Sequence, residues 1–176
     1  MTNLILAMIG ILLASASALI MIDYGGTYFV TSQAKADASS LRNASQNIVA
    51  AYRLYDQGNG REPAGFDDLL SNSSGRRYLT GIPMVSTGTP QDTWNQITVG
   101  GVVHDAFVVN GVSDNACMAT NLLANNFPEP MLIPTEPLFV EGCYGDGGAN
   151  RYYRLLDGSA GALSPYNGQG GDLLFD

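Results

Sequence analysis

Histidine occurs once in this chain of 176 residues, at His104. Only two cysteines are present, Cys117 and Cys143, and they form no CxxC pair. A zinc-type site therefore lacks its usual ligand set. GxSxG, the phosphate-binding P-loop and any tight acidic cluster are also missing, so the residue patterns of common hydrolases and nucleotide-using enzymes are not there. The expectation is a protein that is not an enzyme and carries neither cofactor nor metal. Basic residues are scarce as well: eight Lys and Arg against sixteen Asp and Glu, a net charge of -8. They are scattered except at Arg76-Arg77, which excludes a phosphate-gripping patch for nucleic acid and an electrostatic hold on anionic lipid. Charged residues make up only 14% of the chain. A surface rich in Gly, Ser, Thr and Asn leans towards an extracellular setting.

The two cysteines, in an acidic, Lys-poor chain, point to one disulfide formed outside the cytosol, with two buried thiols as the alternative. A bond between them would close a loop of about 26 residues, worth about 3 kcal/mol on the chain-entropy view. Asp67-Asp68 and His104-Asp105 are the pairs that catalysis or a metal would use. Solvated acids at a helix start and a turn histidine are the plainer readings. Asn43-Ala44-Ser45 and Asn72-Ser73-Ser74 match the N-glycosylation triplet.

What the sequence does have is a long apolar run, LILAMIGILLASASALIMI over residues 4–22, without a charge. As a helix it would rise about 28 Å, one bilayer core. A cleaved signal peptide, a single-pass anchor, and a helix that leaves a membrane to pack on copies of itself are the three readings. The last is favoured by Gly10, Ala14, Ser17 and Ala18, whose small side chains let helices approach. Gly25-Gly26, flanked by Tyr24 and Thr27, breaks helix propensity. Beyond it Leu41, Ala44, Ile48, Tyr52 and Tyr55 fall at steps of three and four, which predicts an amphipathic helix with its stripe on a globular domain. Asp56 to Gly60 should end that helix.

Residues 56–93 read as an irregular, Pro- and Gly-rich connector with a short turn at Phe66 to Leu70. Residues 94–112 read as two strands, Ile97 to Val103 and Ala106 to Val109, with Gly100-Gly101 as a bulge and His104-Asp105 as the turn. Ser113 or Asp114 caps a helix carrying Cys117. Strand pieces follow at Met131 to Ile133 and Leu138 to Val140, then a glycine-rich turn from Tyr144 to Asn150, a strand from Arg151 to Leu156, and a possible last one at Leu173 to Phe175.

An apolar-then-amphipathic helix, a loop-rich connector, a sheet and a cysteine pair late in the chain resemble the plan of type IV pilins. Phe107-Val-Val-Asn-Gly-Val-Ser-Asp-Asn-Ala-Cys117-Met-Ala resembles the strand, glycine turn and Cys-bearing helix of the type IVb subgroup, and Ile97-Thr-Val-Gly-Gly-Val102 fits the strand before it. The resemblance implies an α+β pilin fold: a long N-terminal helix packed on a small antiparallel sheet domain with a C-terminal disulfide-bounded region. Its parts would be residues 1–55 (the hydrophobic half 1–24 and the amphipathic half 25–55), 56–93 and 94–176. It implies a structural subunit of a type IV pilus, an extracellular helical filament or fimbrium, stored in the inner membrane before assembly. Partners would be copies of itself, the pilus assembly machinery and a prepilin peptidase. Met1 would be the processed, N-methylated terminus after loss of a basic leader, and Tyr24, Gly25, Gly26 and Thr27 the region that unwinds on assembly. The alternative is a minor or tip pilin or pseudopilin, a membrane-anchored adhesin or a secretion or conjugation component. The family usually has a glutamate at the position of Ile5, and its loss shifts weight towards that alternative.

Overall fold

The computed structural model describes residues 2–71, 75–125 and 133–156. Met1, the triplet at 72–74, Met131-Leu132 and Leu173 to Phe175 lie outside the described residues. The chain divides into two compact units, residues 1–33 and 34–176. The first is the amino-terminal part of helix α1, Thr2–Asn59, whose backbone is helical through Tyr24, Gly25, Gly26 and Thr27.

The second unit is an α+β domain with a small antiparallel sheet and a disulfide. The carboxy-terminal half of α1 supplies one wall. Ala34, Ala38, Leu41, Ala44, Ser45, Ile48, Tyr52 and Tyr55 are buried, while Lys35, Asn43, Gln46 and Arg53 face water. This is the three-and-four spacing of one helix face against a core. Gly60 ends the helix, its backbone at φ 65° and its N–H donating to Asp56 O at 2.7 Å, a left-handed stop that glycine adopts without a Cβ penalty. A short α2, Phe66–Leu70, buries Phe66 and Leu69 in the connector, and Asp68 Oδ2 accepts from Ala64 N at 2.9 Å ahead of its first turn.

The sheet comprises β1 (Thr89–Pro90), β2 (Asn95–Val99), β3 (Val102–Val112), β4 (Glu141–Asp146) and β5 (Ala149–Leu155), with helix α3, Asp114–Asn125, between β3 and β4. The order is β1-β3-β5-β4, and β2 shares with β1 the same edge of β3. The segment between β1 and β2 leaves that edge so that Trp94 can pack at 4.1 Å on Phe66 and donate to Pro63 O. Gly88 makes the close approach possible: at φ 76°, a Cβ there would lie 2.7 Å from Asn110 O.

The sheet differs from the sequence-based reading around Gly100-Gly101. Both glycines have positive φ, 59° and 81°, and Val99 faces Val102, so they form the two-residue turn of a hairpin and not a bulge. A turn with two positive φ values matches the twist of paired strands, and Gly-Gly is among the few dipeptides that adopt it freely. His104 and Asp105, read as the turn, lie inside β3 opposite Ile97 and Gln96. Likewise Gly147-Gly148 alone joins β4 to β5, and Leu138 to Val140 is not a strand.

A second correction is larger. Crossing a bilayer takes about 20 consecutive apolar helical residues. Among the described residues, no helix is long and apolar enough to cross a membrane. The described side chains of α1 in the second unit divide instead into a buried stripe and a wet face, so that part of the helix is held by a protein core and not by lipid. This overturns the identification as a type IV pilin. With it go the transmembrane helix, the inner-membrane store, the extracellular pilus or fimbrium built by hydrophobic-helix assembly, and the minor-pilin, pseudopilin and anchored-adhesin variants.

Two fastenings hold the parts of the second unit together. Cys117 of α3 is bonded to Cys143 of β4, with Cα atoms 5.3 Å apart. The other is Glu141, only 4% exposed, which meets Arg154 Nη1 at 2.5 Å, Arg42 Nε at 3.3 Å and the Tyr152 hydroxyl at 3.0 Å. Arg42 also donates to Leu123 O at 3.3 Å. One carboxylate thus ties α1, β4 and β5 together, and Arg42 carries the tie to α3. Removing one member of a buried ion-paired set strands the others, at a cost of about 3 kcal/mol. Glu141→Ala should therefore lower the urea midpoint by that amount of stability with little change in slope. Equilibrium unfolding followed by circular dichroism checks it.

Candidate functional site

The sheet has two apolar faces. One carries Phe107, Val109, Tyr152 and Cys143 towards α1. The other carries Ile97, Val99, Ala106, Val108, Tyr153 and Leu155, with Val140 and Tyr144 against it. A cleft of about 650 Å³ opens there between the β2–β3 hairpin and residues 136–138. Gln96, Ile97 and Thr98 form one side with the glycine turn, and Glu136, Pro137 and Leu138 form the other. Tyr144 lines it as well, its ring edge-on to Tyr153 at 5.7 Å.

The wall at 136–138 pairs with none of the described strands. A phenol holds its end, Leu138 N and Phe139 N donating to the Tyr153 hydroxyl oxygen at 3.0 and 2.9 Å, and its flanks are tied by Gly145 N to Pro134 O and Leu155 N to Val140 O. Two backbone donors are thereby satisfied by a single side chain rising from the sheet. Burial is the main reason the Tyr153 phenol titrates high, pushed up to about 12, with the two N–H donors pulling the other way. Tyr152, on the opposite face, is raised well above 10.0, first by burial and then by the charge of Glu141 beside it.

Beyond the cleft the hairpin stands proud of β5, which reaches only Ala106 on β3. Val102 and Val103 are each 57% exposed at its tip, an unusual position for adjacent valines. Leu138, 42% exposed, faces solvent from the other wall.

The residues singled out in the sequence lie elsewhere. Cys117 and Cys143 form the disulfide on the α3 side of the sheet. The Asn121 side chain brackets it, donating to Cys143 O at 2.9 Å and accepting from Cys143 N at 2.7 Å. Met1 lies outside the described residues, and Tyr24, Gly25, Gly26 and Thr27 belong to the other unit. His104 is buried in β3, and Asp67 and Asp68 sit at the first turn of α2. No group of three or more His, Cys, Asp or Glu able to hold a metal occurs among the described residues. The cleft was missed because its parts, 96–101, 136–138 and Tyr144, are distant in sequence. The one available signal was the Gly100-Gly101 pair between alternating residues, which suits a hairpin turn as well as the bulge expected of it.

Comparison with family models, curated proteins and solved structures found no match.

Tyr153→Phe should leave two N–H groups without their acceptor. Each lost partner costs about 1–3 kcal/mol when buried, so the wall should loosen, seen as faster hydrogen exchange at Leu138 and Phe139 with the sheet amides still protected. The two tyrosines also set an alkaline limit. Folding raises both phenol pKa values, so the stability they contribute is complete below the ordinary 10.0 and is lost as pH rises through the folded values, for Tyr153 about 12. Urea midpoints should hold up to that window and fall above pH 10.0, in step with tyrosinate absorbance.

Proposed function

We propose that this chain is a non-catalytic protein-binding module whose recognition surface is the cleft on the second sheet face. The observation that supports it is an open, partly apolar cleft with exposed Leu138 on its wall and exposed Val102 on the same sheet face as Ile97. A concave, partly apolar site with a few polar groups at its edge is a usual form of binding site. Two of the buried polar groups act in fastening: Glu141 joins α1 to β4 and β5, and Asn121 joins α3 to β4. The disulfide fits a module that works where thiols are oxidised.

A photoreactive residue placed at Leu138, in cells that make the protein, should trap one recurring polypeptide. The same residue at Met84, 94% exposed and outside the cleft lining, should not. The trapped protein, purified, should bind the unmodified chain, and Leu138→Glu should weaken that binding about tenfold, the equivalent of about 1.4 kcal/mol. Equal trapping at both positions, or affinity indifferent to Leu138→Glu, overturns the reading.

A further inference from the structure

The two outer edges of the sheet are finished differently. β4 is blunted: the Asn121 side chain makes both hydrogen bonds to the Cys143 backbone that a neighbouring strand would make. Further along, Gly145 N donates to Pro134 O at 2.8 Å. On the opposite edge, β2 pairs only with β3 among the described strands. Its register identifies the backbone groups left over. Val99 and Val102 close the two-residue turn as a hydrogen-bonded pair, so Ile97 with His104 and Asn95 with Ala106 are the next such pairs. The N–H and C=O of Gln96 and Thr98 therefore point away from β3. An open edge of this kind is a template for another strand, and proteins usually guard it with lysine, proline or a bulge. β2, Asn-Gln-Ile-Thr-Val, has none of these.

The cleft lies along this edge, since Gln96, Ile97 and Thr98 line it. The charged side chain that lines it is acidic: Glu136 is exposed on the facing wall, and no Lys or Arg is among the lining residues. The chain as a whole carries -8, which opposes self-association and favours a cationic visitor.

Resting on the reading of this chain as a protein-binding module, we propose that β2 accepts an extended, lysine- or arginine-bearing segment of a partner protein as an added strand. Main-chain hydrogen bonds to Gln96 and Thr98 give the affinity. Apolar side chains of the segment enter the cleft between Ile97 and Leu138, and a basic one meets Glu136. This is recognition by strand addition, in which the backbone supplies binding and alternate side chains supply selectivity.

The probes are two synthetic octapeptides, one alternating valine with lysine and one alternating valine with glutamate, added to the full-length isotope-labelled chain. The lysine form should shift the amide resonances of Gln96 and Thr98 and slow their hydrogen exchange. It should bind about fivefold more tightly than the glutamate form, the scale of one exposed charge contact. Thr98→Pro should abolish binding while leaving the Tyr152 and Tyr153 resonances in place, because the N–H it removes faces away from β3. Should that variant misfold, lysine octapeptide methylated at alternate backbone nitrogens serves instead, and it should fail to bind the unmodified chain. Unmoved Gln96 and Thr98 amides, equal binding of the glutamate form, or undiminished binding of the methylated form overturns the proposal. So does a dimer that Thr98→Pro converts to monomer, which would make the added strand a second copy. If the octapeptides fail while Leu138 still traps a partner, only strand addition is lost; if both fail, the module reading goes too.

Discussion

The second unit depends on a single buried carboxylate. Glu141 sits at the start of β4, nearly inaccessible to water, with Arg154 from the neighbouring strand, Arg42 from α1 and the Tyr152 hydroxyl all turned towards it. Desolvating a carboxylate is costly by itself, and two hydrogen bonds with a second guanidinium at 3.3 Å are what make it tolerable. Apolar burial is indifferent to small slides of a helix along a sheet. A charge with two directed hydrogen bonds and a close counter-charge is not. The Glu141 cluster sets the position of α1 on β4 and β5, and Arg42, reaching Leu123 O, extends the same constraint to α3. Ser45, one turn on from Arg42, donates back to Arg42 O at 2.9 Å and helps keep that stretch in place.

With the helix side of the sheet closed in this way, the other side carries the cleft. The α1 face is filled by a chain of aromatic rings, Tyr52 against Trp94, Trp94 against Phe66, Phe66 against Phe107 and Phe107 against Tyr152. The second face is buried too, Val108 and Tyr153 being almost inaccessible, and the stretch beside it is tied by the Tyr153 hydroxyl and by Leu155 N donating to Val140 O. The edges differ. Disulfide, Asn121 and Pro134 converge on β4, whereas β2 ends in a two-glycine turn and exposed valines. Cross-links are concentrated on one half of the sheet, and the cleft lies on the other.

The absence of a bilayer-crossing helix among the described residues changes what α1 is for. In the second unit its residues serve the core of the α+β domain, Leu41 and Ile48 being fully buried. The pilin resemblance rested on the order of elements and on short tracts at 97–102 and 107–119. Such an order, a helix followed by a small antiparallel sheet with a disulfide, is a common solution to covering one face of a sheet, and it carries no commitment to lipid or to a polymer.

Local chemistry made part of this legible in the residues alone. The spacing of Leu41, Ala44, Ile48, Tyr52 and Tyr55 specifies a buried helix face, because a period near 3.6 places those side chains on one side whatever they meet. Asp56 to Gly60 marks a helix end because glycine alone adopts the left-handed stop freely. What could not be read was anything settled by partners far apart in the chain. Gly100-Gly101 is compatible with a bulge or a turn, and the pairing of Val99 with Val102 decides it. Glu141 looks like any surface acid until Arg42, some hundred residues earlier, is folded against it. The cleft exists only once Tyr153 has drawn Leu138 and Phe139 over the sheet. Sequence determined the helices and which face of α1 would shun water; tertiary structure decided where the strands turn, which charges were buried and which edge pairs with no described strand, since these depend on contacts that no local pattern encodes.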